Sequence, residues 1–66
     1  MKRYQITSRA LTTGAPIVHT WSDSPAEALD MANKVAATGA RDVEIRDSQA
    51  DKFIDLKSFA AEHRLG

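Results

Sequence analysis

The chain has 66 residues, nine basic and nine acidic, two histidines and no cysteine, so its formal net charge is zero. A chain this short makes one domain, buries only about 60% of its unfolded surface, and has no disulfide, thiolate metal site or cysteine nucleophile. Eleven of its hydrophobic residues are alanine, which leaves seventeen larger apolar side chains for a core; a deep cofactor pocket is excluded and a marginal fold is expected.

The neutral total conceals an asymmetry. Residues 1–22 carry Lys2, Arg3 and Arg9 and no carboxylate, whereas residues 23–66 set six bases against nine acids. A basic first segment on an acidic body favours oriented association that salt would weaken. Met1-Lys2-Arg3 is followed by Gln5, Thr7, Ser8 and Arg9, which interrupt the apolar run of a signal peptide. No stretch approaches the ~20 apolar residues of a membrane span. The expectation is a cytoplasmic protein that makes no contact with membranes.

Tyr4 to Leu11 alternates with a period of two, placing Tyr4, Ile6 and Ser8 opposite Gln5, Thr7 and Arg9, as in a half-buried strand. Thr12 to Pro16 is turn chemistry, and Ile17 to Trp21 supplies a second strand, so residues 3–22 read as a hairpin. Ser24-Pro25-Ala26-Glu27 then opens a helix: a capping hydroxyl, a proline at the first position and a glutamate able to reach back. Ala28, Leu29, Met31, Ala32, Val35 and Ala36 carry its stripe to about Thr38, with Gly39 as a left-handed cap. Asp42 to Asp47 alternates again, and Lys52 to Asp55 forms a short fourth strand. Asp55 caps a last helix with Leu56, Phe59, Ala60 and His63 on one face.

This order, β-β-α-β-β-α, predicts an α+β two-layer sandwich: a small antiparallel sheet, ordered 2-1-3-4, with both helices on one face.

No constellation points to catalysis, a metal or a cofactor. His19 and His63 lie far apart with no ligand pair at local spacing; they read as a strand residue at the sheet rim and a cation near a helix C-terminus. The segment 47–58 has Lys52 and Ser58 where a calcium loop needs glycine and glutamate. No nucleophile elbow or phosphate-binding glycine loop is present. The expectation is a non-enzymatic protein.

A nucleic-acid surface has more support. Arg3, Gln5, Thr7 and Arg9 are expected to point outward from the first strand, joined by Val18 and Thr20 from the second and Arg46 from the third. Against it stand the zero charge, Glu44, and the absence of the paired aromatics on which single strands stack; a solvated face is the plainer reading. Trp21 is either a core anchor beside Ile17 or a partner-binding anchor, the first being favoured in so small a core.

The run Trp21-Ser22-Asp23-Ser24-Pro25-Ala26-Glu27-Ala28-Leu29 resembles the strand-to-helix junction of small bacterial α+β domains, including antitoxins of the HicB type. The Pro-Asp-Leu-Pro-Gly-like stretch of that family's core strand is missing before it, and no function or site residue follows from the resemblance. The leading expectation is a module for binding a protein partner or a second copy through an open sheet face or edge. A small RNA- or DNA-binding protein using Arg3, Arg9 and Arg46 is the alternative.

Overall fold

The structure is a computed structural model that describes residues 2–65. Its elements follow the predicted order: β1 (Tyr4–Arg9), β2 (Pro16–Ser22), α1 (Pro25–Ala37), β3 (Glu44–Asp47), β4 (Lys52–Asp55) and α2 (Leu56–Glu62). The four strands form one antiparallel sheet in the order β2-β1-β3-β4, with both helices packed on one face. The architecture is thus the α+β sandwich expected from the sequence.

Capping chemistry fixes the helix starts. Ser24 is extended, its Oγ accepts from Glu27 N–H at 3.4 Å, and Pro25 opens α1. Glu27 does not reach straight back to the Ser24 amide. Its carboxylate instead accepts from Ser22 Oγ at 3.1 Å, and that buried hydroxyl accepts from Ser24 N–H at 3.0 Å, so one serine relays the capping box. Asp55 caps α2 by accepting from Ser58 N–H at 2.7 Å. Asp55 Oδ2 also accepts from the Ser58 hydroxyl, and together these bonds hold its carboxyl below its ordinary pKa.

Alternation fixes the core. Tyr4 and Ile6 from β1, Ile45 from β3 and Ile54 from β4 meet Ala28 and Ala32 of α1 and Phe59 of α2. The two alanines are fully buried, so α1 lies close against the sheet, and Phe59 supplies the bulk. Tyr4 and Phe59 pack edge to face, with centroids 5.3 Å apart. His63, the C-cap of α2, lies 4.4 Å from the Phe59 ring.

Two boundaries differ from expectation by two residues. β1 stops at Arg9 because Ala10 turns, donating to Ala15 O and accepting from Gly14 N–H. β3 starts at Glu44 rather than Asp42, because Asp42 sits at φ 50°, a left-handed conformation incompatible with a strand.

Candidate interaction surface

β2 is an edge strand, and its pairing with β1 is irregular. Tyr4, Gln5 and Ile6 lie opposite Ser22, Trp21 and Thr20, but Thr7, Ser8 and Arg9 lie opposite Val18, Ile17 and Pro16; the register shifts between Ile6 and Thr7. His19 is the extra residue of a β-bulge. Its Nε2 lies 2.7 Å from Ser8 Oγ on the helix side of the sheet, which pins the bulge in place. Directly opposed residues share a face. Pro16, Val18 and Trp21 therefore lie on the open face, and Ile17, His19, Thr20 and Ser22 on the helix face.

Placement of the sequence-predicted residues follows from this register. Gln5, Thr7, Arg9 and Arg46 lie on the open face, but Thr7 is buried (1%) and donates to Glu44 O, leaving nothing of it for a partner. Thr20 does not join them: the bulge turns it to the helix face, opposite Ile6. Arg3 is also elsewhere. It precedes β1 and folds onto Asp47, donating from Nε at 3.1 Å and Nη2 at 3.0 Å, with its guanidinium 5.1 Å from the Tyr4 ring centroid. That bidentate bond raises the Arg3 pKa and lowers that of Asp47, whose carboxylate also accepts from the Gln49 and Ala50 amides.

Trp21 is no core anchor. It is 46% exposed on the face opposite the core, which closes without it. Phe53, 39% exposed, lies on the same face, and the cross-strand row reads Trp21, Gln5, Arg46, Phe53. Two aromatics thus share the face after all, about 14 Å apart across three strand spacings. The Arg9 guanidinium lies 4.8 Å from the Phe53 centroid.

The electrical asymmetry of the sequence does not survive folding. Arg3 pairs with Asp47 and Arg9 with Glu44 at 3.4 Å, both carboxylates on β3, while Arg46 pairs with Asp51. Lys2 is the one cation of the first segment with no carboxylate partner among the described residues. Both arginines of the hairpin are thus paired within the chain.

Ser8 and His19 have the spacing of a nucleophile and base, but Ser8 is only 4% exposed and no carboxylate orients His19 among the described residues. Sequence spacing gave no hint of this pair, because only the bulged register brings the two together. No group of three His, Asp or Glu side chains converges among the described residues, and no helix is long and apolar enough to cross a membrane. Comparison with known protein families, with curated proteins and with solved structures gives no match.

Proposed function

We propose that the protein is a non-catalytic interaction module that docks an extended partner strand along the free edge of β2. The observation that carries this reading is the chemistry of that edge. Residues 10–22 contain no Asp, Glu, Lys or Arg in a chain that is 27% charged, and Pro16 to His19 are all exposed. Natural sheets guard an edge of this length with charged side chains, especially lysine, with proline or with a bulge. β2 has Pro16 at its start and the bulge at His19 but no charged side chain, and it presents Ile17, Val18 and Trp21 beside its unpaired backbone groups. Main-chain bonds then supply affinity and the alternating side chains supply selectivity.

The test is an unbiased selection of short random peptides against the protein, followed by amide-resonance mapping. Selected peptides are expected to shift β2 amides and to lose at least about tenfold in affinity, or ~1.4 kcal/mol, on a Val18→Lys, Trp21→Lys variant. Peptides that map to the helices and bind the variant equally well would overturn the proposal.

One observation favours a second reading, single-stranded nucleic acid on the open face: the row of Trp21, Gln5, Arg46 and Phe53 offers two stacking rings with donors between them. Glu44 and Asp55, opposed on the same face, and the pairing of both arginines weigh against phosphate contact. Trp21 is the only tryptophan, so titration with oligo-dT and oligo-rA at low salt reads the site directly. Stacking should quench its emission, and Phe53→Ala should weaken binding by about 1–3 kcal/mol. Emission that stays constant throughout both titrations eliminates this reading.

A further inference from the structure

We infer that the strand β2 accepts is β2 of a second copy of this chain, paired antiparallel about a two-fold axis between His19 and Thr20, with Val18 of each copy opposite Trp21 of the other. The inference rests on the reading of β2 as the docking edge and adds the identity of the occupant and the register.

Charge is the first argument. An uncharged strand meets a second copy of itself without like-charge repulsion, and residues 10–22 satisfy that condition throughout. Asp23, the next residue along, falls opposite Pro16 of the other copy, where no cation or anion waits.

The facing pattern is the second argument. A two-fold axis perpendicular to a sheet keeps every side chain on its own face, so each residue must oppose one that shares its face. In a regular strand neighbouring residues alternate, and such an axis can pass only through a residue. The bulge breaks that restriction by placing the neighbours His19 and Thr20 on the helix face together. With the axis between them, His19 opposes Thr20, Val18 opposes Trp21 and Ile17 opposes Ser22. Every pair from Ile17 to Ser22 then matches in face.

Neighbouring registers fail. An axis on His19 sets Val18 of the open face against Thr20 of the helix face; an axis on Thr20 sets His19 against Trp21; an axis between Val18 and His19 opposes those two directly, again across faces. Pairings that avoid the bulge retain only a few residues at either end of β2. A bulge is ordinarily a device that spoils an edge for further pairing. Here it makes the edge self-complementary in a single register.

Energetics follow from what that register gathers. Val18 and Trp21, 41% and 46% exposed in one copy, are brought into two symmetric pairs on the open face, flanking the axis. Ile17, 45% exposed, packs over Ser22 of the second copy on the helix face. The two sheets become one of eight strands, with β4 at both outer edges. Two short strands bury less than the roughly 1,600 Å² of a standard interface, so the dimer should be concentration-dependent.

Disulfide trapping tests the register, and the absence of native cysteine makes it clean. Directly opposed Cβ atoms lie about 4.5–5.5 Å apart, close enough for a disulfide after a small adjustment. Val18→Cys and Trp21→Cys chains, both sites being exposed and outside the core, are mixed in equal amounts in a glutathione redox buffer. The mixed V18C–W21C disulfide is expected to dominate over both homodisulfides. Statistical yields, or a predominance of either homodisulfide, would overturn the register. Sedimentation equilibrium of the unmodified chain should show mass rising towards that of a dimer with concentration, and Val18→Lys should abolish the rise. A chain that stays monomeric while its β2 amides still respond to selected peptides refutes self-pairing and leaves the docking edge standing. Loss of both responses refutes the two together.

Discussion

Phe59→Ala is expected to leave the chain largely unfolded at 25 °C. Phe59 is fully buried and stands at the centre of the aromatic contacts, 5.3 Å from the Tyr4 ring and 4.4 Å from that of His63. Truncating such a residue costs about 3–5 kcal/mol, part lost transfer energy and part cavity. A domain of this size has only about 3–10 kcal/mol in total. The two fully buried residues that α1 contributes to the core, Ala28 and Ala32, are too small to fill the void. Helix α2 has seven residues, too few to persist without the face that Phe59 buries. Urea titration followed by far-ultraviolet circular dichroism measures the loss. Phe59→Leu serves as the control, keeping most of the volume and costing about 1–1.5 kcal/mol. A cooperative urea transition for Phe59→Ala within about 1 kcal/mol of the unaltered chain would show that the core lies elsewhere.

The second large effect is expected at Asp47. Asp47 is buried, and its carboxylate accepts both Arg3 bonds and the amides of Gln49 and Ala50. Asp47→Asn leaves one amide oxygen for the turn but removes the charge that Arg3 requires, at a cost of about 1–2 kcal/mol once screening at the half-open Arg3 side chain is counted. Asp47→Ala removes the turn bonds as well and should cost more. For a domain of this length the first loss lowers Tm by roughly 5–15 °C. The pH dependence has a definite sign. Asp47 is held below its ordinary pKa by Arg3, so its stabilising contribution is complete above pH 3.8, the ordinary value, and disappears as pH falls through the lowered one. Asp47→Asn should therefore flatten the acid limb of a stability-against-pH curve without abolishing it, because the cap residue Asp55 is displaced in the same direction. An acid limb identical in the two proteins would remove Asp47 from the account.

Most of the fold was legible because its determinants are local. Ser24-Pro25 and Asp55 carry their caps in adjacent residues, Gly39 ends α1 at φ 90°, and Tyr4-Gln5-Ile6 declares its period within a few positions. The surface was less legible because its determinants are not local. Regular alternation through β2 puts Val18 and Thr20 on one face, and only the bulge, held by the tertiary Ser8–His19 bond, sends Thr20 inward and Trp21 outward. Arg3 reads as the next outward residue of β1, yet its fate is set by Asp47, 44 positions away. Likewise, the charge split along the chain said nothing of the two ion pairs that cancel it across β1 and β3.

The bulge at His19 also changes which mutations matter. Substitutions in β2 alter what a partner touches, but deleting His19 restores strict alternation and changes the parity of the strand. A two-fold axis would then have to fall on a residue, and the pairing of His19 with Thr20 would have no counterpart. In this chain a one-codon deletion would be a change of symmetry, and length variation at this single position would separate copies able to assemble in one geometry from those confined to another.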